Sequence, residues 1–345
     1  MRLRLIIYAI LYLLLVSGCE KDPLLGKTGR QPMRFSSAEV SIETKANEKP
    51  NDPTVLISVG NQVSLYGLRR VNNTDTPVFS NQILSCTAAG NNPTWEYNPL
   101  EYWEETGDYY FAGVFPYRYS DISITSTNNT YTLSVVYRAG DNQDLMVARE
   151  HRDVTESNGK RAVSLPFKHV TSAIRFIFRK DASITSECKL TDFRLENLYA
   201  NGTLSCNPLN YNGADDWSWT QSTRGTLCSW SAATTEARKL IGPKTGGDHP
   251  ENNWCYMGWY YMVPQSMGAS PTVHFSISYD GQTPVTKTLD ITDCDGDANH
   301  AADIWAPNQV YNYYITINAS GLTLTVEATP WDQVTVTTDV ITFES

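Results

Sequence analysis

The chain has 345 residues, of which 41% are hydrophobic and 19% are charged, and its formal net charge is -10. An acidic chain disfavours nucleic acid and anionic membrane surfaces as partners, because both are themselves negatively charged. The 327 residues from position 19 onward are enough for two domains of ordinary size.

The N-terminal segment has the features of an export signal. Arg2 and Arg4 precede an uninterrupted apolar stretch over residues 5–16. These twelve residues are too few to span a membrane, which takes roughly 17 to 25, but they suit the core of a signal peptide. The residues that follow, LVSGC ending at Cys19, resemble the bacterial lipobox, whose cysteine is acylated. We therefore expect residues 1–18 to be a lipoprotein signal peptide and Cys19 to carry the lipid, the alternative being a signal peptide with an incidental cysteine.

Residues 19–34 are expected to form a tether between the lipid and the first folded domain. The stretch is polar and contains Gly26, Gly29 and Pro32, a composition typical of a linker. Its first residues, CEKDP, are similar to the short acidic signals that send Bacteroidetes lipoproteins to the outer face of the outer membrane. That resemblance implies a surface-exposed lipoprotein of the cell outer membrane.

The N-terminal half alternates apolar and polar residues with the period of a β-strand. Four such runs occur in chain order: VLISVGNQVSLYGL, GDYYFAGVFPY, YTLSVVYRAG and QDLMVARE. Clusters of Asn, Asp, Gly and Pro separate the runs, as turns between strands require. We interpret residues 35–165 as an N-terminal antiparallel β-sandwich, with the domain boundary near Pro166.

The run HVTSAIRFIF, just after this boundary, predicts a strand with one buried and one polar face. Ile174, Phe176 and Phe178 share the apolar face, and Arg175 and Arg179 share the other.

Two hairpins are predicted further along the chain. Residues 272–291 alternate apolar and polar positions on either side of Asp280-Gly281, and residues 311–326 do the same on either side of Ser320-Gly321. Residues 166–345 are therefore interpreted as a second, C-terminal β-sandwich that includes a terminal strand.

That terminal strand follows Trp331 and ends close to the last residue. Its apolar side chains fall into two groups on opposite faces, Val334, Val336 and Val340 on one and Ile341 and Phe343 on the other. A strand in this position closes this molecule's own C-terminal sheet or is donated to another molecule, and the sequence leaves both readings open.

Four stretches occur in a recognisable order: FAGVFPY, FKHVTSAIRFIF, YYMVPQ and WAPNQVYNYYITINASGLTLTVEATPW. Together with the lipobox, this ordered set resembles the fimbrillin-like lipoproteins of Bacteroidetes, the subunits of type V pili. The resemblance extends over nearly the whole mature chain. It implies two tandem transthyretin-like Greek-key β-sandwich domains and a structural or adhesive role in a fimbrium, without catalysis or a cofactor.

The resemblance also implies a mode of assembly. In stalk subunits of this family a protease cuts after an arginine and removes the first strand, and the vacated groove accepts a strand from the next subunit, usually its C-terminal one. The expected partners are other pilus subunits, in a homo- or hetero-polymer, and the outer membrane through the lipid on Cys19. Val334, Val336, Val340, Ile341 and Phe343 are then the candidate donor strand.

The processing step is where this chain departs from the family pattern. The matching stretch, SIETKA, carries Lys45 where an arginine is usual, so an arginine-specific protease would leave the first strand in place. Retention of that strand favours an anchor or accessory subunit over a processed stalk subunit. Arg34 is the alternative processing site, and a cut there is expected to remove only the tether and the lipid; Arg69-Arg70 are expected to follow the next strand.

Enzyme and metal-site signatures are missing from the sequence. It contains no G-x-S-x-G, H-E-x-x-H, P-loop or G-x-G-x-x-G motif, so we expect no enzyme. The stretch DITDCDGDANH offers Asp293, Asp295 and Asp297 as calcium ligands, yet the EF-hand spacing counted back from Gly296 puts Ile291 at the first ligand position. A solvated acidic loop is the preferred reading, and a loose calcium site is the alternative.

A second function is suggested by the tryptophan content. Nine tryptophans occur, several of them in the segment from Asn207 to Gly268, which shows little alternation and is expected to form long loops. Flat aromatic faces on loops can stack on sugar rings, so a surface-exposed glycan-binding lipoprotein with a host or bacterial glycan or protein ligand is the alternative to a pilus subunit.

Overall fold

The structure is a computed structural model that describes most of the chain in separate segments. These segments are residues 30–36, 59–88, 94–118, 120–128, 130–156, 159–211, 216–231, 239–242, 254–268, 270–292, 303–319 and 321–330. Their regular structure is β-strand apart from one short 3-10 helix, Ala139–Asp141. None of these segments contains a helix of the length and apolar character that a bilayer crossing needs. The predicted all-β fold class is confirmed.

The strands are short to medium in length and follow one another along the whole described chain. Those of the first half are β1 (Phe35–Ser36), β2 (Gln62–Val71), β3 (Thr74–Ala88), β4 (Thr94–Glu96), β5 (Asp108–Phe115), β6 (Ile122–Thr127), β7 (Thr130–Arg138), β8 (Met146–Asp153) and β9 (Val163–Ser164). Those of the second half are β10 (Lys168–His169), β11 (Ser172–Lys180), β12 (Cys188–Tyr199), β13 (Asn201–Cys206), β14 (Ser218–Gln221), β15 (Arg224–Ser231), β16 (Lys239–Ile241), β17 (Cys255–Tyr256), β18 (Tyr260–Met262), β19 (Gln265–Ser266), β20 (Thr272–Tyr279), β21 (Val285–Asp290), β22 (Ile304–Trp305), β23 (Gln309–Asn318) and β24 (Gly321–Pro330).

An eight-stranded sheet dominates the N-terminal part, with the strand order β10-β8-β5-β2-β3-β4-β1-β9. Its neighbours are antiparallel except for β1 and β9, which run parallel. Alternate residues of the central strands, such as Val63, Leu65 and Phe111, are fully buried. They share one face because successive side chains of a strand point to opposite sides. These residues belong to one hydrophobic cluster that also includes Trp103 and Phe79.

Two sheets pack face to face in the C-terminal part. One has the order β17-β11-β23-β24, with β18 also paired to β11, and the other has the order β15-β12-β20-β21, with β16 also paired to β12. Aromatic side chains interlock between them, with ring centroids 5.2 Å apart for Phe176 and Phe193 and 5.1 Å apart for Phe178 and Phe275. This arrangement is a β-sandwich with an aromatic core.

A four-stranded sheet, β14-β13-β7-β6, connects the two halves of the chain. Its central pair, β7 and β13, is in register from Arg138 opposite Asn201 to Leu133 opposite Cys206. The inner residues of β7 belong to the same hydrophobic cluster as the C-terminal sandwich core. The division into domains at residue 165 stays a prediction, and the chain on either side of it shares a sheet and a core.

Within the described residues, the predicted strands and hairpins are found where the alternation placed them. β20 and β21 form the first hairpin around Asp280 and Gly281, whose φ angles of 46° and 74° suit a tight hairpin turn. β23 and β24 form the second hairpin, in register over ten residue pairs.

The prediction of one polar face for β11 is wrong. Seven successive residues of this strand, Ser172 to Phe178, are buried, and among them Arg175 is only 6% exposed. The Arg175 guanidinium lies over the rings of Trp259 and Tyr256 at 4.3 and 5.0 Å, and it donates two hydrogen bonds to the side-chain oxygen of Asn312. The charge of Arg175, which the alternation predicted to face solvent, is therefore covered by two aromatic rings and the side-chain amide of Asn312.

Candidate functional site: the segment that completes the N-terminal sheet

The N-terminal described residues, 30–36, fill a gap at one side of the eight-stranded sheet. We refer to residues 30–36 as the plug segment. Within it, β1 lies between β4 and β9, with Phe35 opposite Trp95 on one side and opposite Val163 on the other. The plug segment therefore links β4 and β9, which do not pair with each other directly.

Backbone hydrogen bonds fix the plug segment on both sides. The Met33 N–H donates to the carbonyl oxygen of Glu101 at 2.9 Å, and the Trp103 N–H donates to the carbonyl oxygen of Gln31 at 3.0 Å. On the opposite side, the Val163 N–H donates to the carbonyl oxygen of Arg34 at 2.7 Å. These are the contacts that an added strand makes with a sheet.

Three residues of the plug segment are buried, Pro32, Met33 and Phe35, and the last two belong to the hydrophobic core cluster. Met33 and Phe35 are 1% and 6% exposed, whereas Arg34 between them is exposed, as strand alternation requires. The Phe35 ring contacts three aromatic rings edge to face, those of Phe79, Tyr97 and Phe111, at centroid distances of 5.9, 5.7 and 5.8 Å. Such pairs are worth about 0.5–1.5 kcal/mol each beyond the apolar area they bury.

Tyr97 adds a polar contact between the core and the plug segment. Its hydroxyl donates to the carbonyl oxygen of Met33 at 2.9 Å, and burial raises the pKa of Tyr97 to about 12. The ion pair of Arg30 with Glu104, at 2.8 Å, lies at the surface, where such pairs contribute about 0–1 kcal/mol. The plug segment is thus held mainly by backbone hydrogen bonds and by its three buried residues, Pro32, Met33 and Phe35.

The chain between the plug segment and β2 contains the first candidate processing site. Lys45 lies outside the described residues, as does Cys19. A cut at Lys45 would leave the plug segment attached only by the non-covalent contacts above. Arg34 lies inside the plug segment, so a cut there would put Met33 and Phe35 on different fragments. Arg69 and Arg70 lie within β2 rather than after it.

The remaining predicted site residues fall outside the described part of the chain. Outside it lie the residues of the candidate donor strand, Val334, Val336, Val340, Ile341 and Phe343, and the weak calcium candidates, Asp293, Asp295 and Asp297. The described residues contain no cluster of three or more potential metal ligands.

The expectation of long loops over residues 207–268 is corrected by the structure. Six short strands, β14 to β19, occupy much of the described part of this segment. Three of its tryptophan faces are covered by arginine: Arg149 lies 4.3 Å from the Trp217 ring centroid, Arg175 covers Trp259, and Arg179 covers Trp254 at 5.0 Å.

The sequence did not indicate which segments receive the plug segment. The backbone groups of Glu101, Trp103 and Val163 belong to segments far from residue 35 along the chain, and backbone groups leave no mark in a sequence. The short alternation Met33-Arg34-Phe35 was a usable signal of a strand. The predicted boundary between tether and sandwich, after residue 34, cut through it.

The fold and the plug contact define an all-β, multi-sheet protein whose N-terminal sheet is completed by the plug segment, residues 30–36. The sequence model of the fimbrillin-like family matches residues 44–331, and the chain belongs to this family. The match covers the strands from β2 to β24, and the plug segment precedes it. This family is one of fimbrial proteins rather than of enzymes.

Solved structures share the fold at low sequence identity. A candidate cell adhesion protein from Bacteroides uniformis superimposes with a TM-score of 0.53 at 14% identity, covering 88% of this chain and 99% of its own. A fimbrial protein from Bacteroides vulgatus gives a TM-score of 0.50 at 14% identity, covering 78% of this chain and 92% of its own. A candidate cell adhesion protein from Bacteroides ovatus gives 0.50 at 12% identity, with coverages of 88% and 97%. Comparison with curated protein sequences finds no significant match.

Proposed function

We propose that this protein is a structural or adhesive subunit, or the membrane anchor, of a type V pilus, and that it assembles through β-strand addition at the plug segment. The observation that carries the proposal is the insertion of residues 30–36 between β4 and β9, with Met33 and Phe35 buried in the core. Family membership supports a fimbrial role and a place at the cell surface.

Strand addition has a direct physical basis at this position. Loss of the plug segment would leave the N–H groups of Trp103 and Val163 without their acceptors and would uncover Phe79 and Phe111. A strand from another subunit that alternates apolar and polar residues would restore both kinds of contact. An unoccupied slot is costly, because it exposes apolar surface and unpaired backbone groups together.

The incoming strand is proposed to be the terminal segment, residues 331–345. The competing position is the edge of this molecule's own C-terminal sheet, because in the described chain β24 pairs with β23 alone. Truncation after Trp331 separates the two readings. A donor strand can be removed while the monomer stays folded, whereas a closing strand is needed for folding.

Membrane attachment is proposed to occur through a lipid on Cys19 at the outer face of the outer membrane. If Lys45 is not cut, the plug segment remains in its slot and the subunit cannot accept a strand. The protein is then an anchor or accessory subunit at the base of the pilus. If Lys45 is cut, the plug segment is held by non-covalent contacts alone and can be displaced by an incoming strand, and the protein is then a stalk subunit.

The test is to isolate the protein from its native cell surface, both the wild type and the variant truncated after Trp331, and to determine fibre content, intact mass and N-terminal sequence. We expect the wild-type protein to be found in high-mass fibres. The truncated variant should be folded but should not assemble. Wild-type protein that is absent from fibres would contradict the proposal. An acylated Cys19 start identifies an anchor, and a start at Ala46 identifies a processed subunit.

A further inference from the structure

A cavity of about 360 Å³ lies between the eight-stranded sheet and the four-stranded sheet that connects the halves. The first sheet contributes Tyr66 and Leu68 from β2 and Tyr110 from β5, and the second contributes Tyr131 from β7. Leu209, just after β13, closes one side. A junction between sheets and a volume in this range are both typical of small-ligand sites.

The lining of the cavity is apolar, aromatic and uncharged. Three tyrosine rings form much of the wall, and the hydroxyl-bearing residues are Tyr66, Tyr110, Tyr131 and Ser80; among the described residues no ionisable Asp, Glu, Lys, Arg or His lines it. Burial raises the pKa of Tyr66 to about 12 and also raises the pKa values of Tyr110 and Tyr131. The phenols therefore stay protonated near neutral pH, and a protonated phenol oxygen can still accept a hydrogen bond from a ligand hydroxyl.

The tyrosine side of the cavity is held in place by a charged pair just outside it. Arg70 donates two hydrogen bonds to the Asp75 carboxylate, at 2.7 and 2.8 Å, and its guanidinium lies 5.4 Å from the Tyr110 ring centroid. The hydrogen bonds from Arg70, together with one that Tyr131 donates to the same carboxylate, lower the pKa of Asp75. Two of the three rings are therefore oriented before any ligand arrives.

The wall formed by the segment around Leu209 is also held by contacts outside the cavity. Arg149 donates to the carbonyl oxygen of Asn207 at 3.1 Å and also pairs with Asp216. Two residues beyond Leu209, the Tyr211 ring stacks on His151 with a centroid distance of 4.4 Å. These contacts tie the segment that carries Leu209 to β8.

We propose that this cavity binds a neutral sugar ring. A pyranose has apolar C–H faces, which match tyrosine and leucine side chains, and an edge of hydroxyl groups, which match the phenols and Ser80. An apolar peptide side chain would cover these hydroxyl groups without replacing their hydrogen bonds to water, and that loss disfavours it. A charged ligand would find no opposite charge in the lining. This site does not depend on the proposed mode of pilus assembly.

The experiment titrates the full chain with a panel of neutral monosaccharides: glucose, galactose, mannose, fucose and N-acetylglucosamine. Binding is measured by saturation-transfer difference NMR and calorimetry, with sialic acid and indole as charged and apolar comparison probes. We expect saturable binding of at least one neutral sugar. Tyr110→Ala, which removes a wall, and Leu68→Trp, which fills the cavity, should each weaken it at least tenfold.

The matched control is Tyr199→Ala, which removes a half-buried tyrosine of β12 that does not line the cavity. It should leave sugar binding within twofold of the wild type, and thermal melting of each variant checks that the fold is kept. The proposal is overturned if none of the neutral sugars binds, if binding survives both cavity variants, or if only sialic acid or only indole binds.

Discussion

Phe35 is the side chain through which the plug segment engages the aromatic core, since its ring contacts those of Phe79, Tyr97 and Phe111. Phe35→Ala should lower the free energy of unfolding by about 3–5 kcal/mol, because it removes a buried ring and leaves a cavity. Arg34→Ala, one residue away and exposed, should change it by less than about 0.5 kcal/mol. Denaturant unfolding of the full chain measures both variants, and equal effects would show that the Phe35 contacts do not hold the segment.

Tyr97 makes the plug contact sensitive to alkaline pH. Burial raises its pKa to about 12, so the folded protein holds the phenol proton more tightly than the unfolded chain does. Its contribution to stability is therefore fully present below about pH 10 and is lost as the pH rises towards 12. Unfolding measured across this range should show a steeper loss of stability for the wild type than for Tyr97→Phe, which has no proton to lose. Parallel curves would contradict this assignment.

At the level of the elements, β2 depends on a glycine where it faces the aromatic core. A Cβ atom at Gly67 would lie 2.8 Å from a ring carbon of Phe79 and 3.3 Å from one of Phe111, the rings that receive Phe35. Gly67→Ala should therefore destabilise the fold by about 1–3 kcal/mol through overpacking. Gly225→Ala in β15 is the matched control, because a Cβ there meets nothing within 4 Å and should be neutral or slightly stabilising. Similar melting temperatures for the two variants would refute the packing argument.

The strands themselves were predictable because their signal is local. Alternation of apolar and polar residues placed β2, β5, β7, β8 and both C-terminal hairpins, and turn residues such as Gly281 placed their ends. The burial of both faces of β11 was not predictable, because the side chains that cover Arg175, those of Trp259, Tyr256 and Asn312, come from distant segments. The position of β1 was hidden for the same reason, since its partners Trp95 and Val163 are remote in sequence.

On the scale of the whole molecule, the shared sheet decides how the two halves behave. β7 pairs with β13, and the Tyr137 hydroxyl donates to the carbonyl oxygen of Tyr261 at 2.8 Å. Because these contacts join the two halves, unfolding of either half would remove core contacts from the other. We expect calorimetry of the full chain to show one cooperative transition. Two separate transitions, one of them assignable to residues 35–165, would instead establish independent domains.

The fimbrial role could be anticipated from the ordered motifs, whereas the place of residues 30–36 in the eight-stranded sheet required the three-dimensional arrangement. Residues 30–34 have the composition of a tether, yet Met33 is buried and its N–H donates to the carbonyl oxygen of Glu101, which is distant along the chain. The sugar cavity was equally hidden, because its tyrosines come from β2, β5 and β7.

The most direct test of strand addition is an exchange experiment on the full chain with one engineered cleavage site in place of Lys45. After cleavage, native mass spectrometry follows loss of the N-terminal fragment and binding of a peptide of residues 331–345, with uncut protein and a peptide carrying Val334→Asp and Val336→Asp as controls. The account predicts that the terminal peptide replaces the fragment in the cut protein only, and that the Asp peptide does not bind. Cut protein that sheds its fragment, stays folded and binds neither peptide would contradict it.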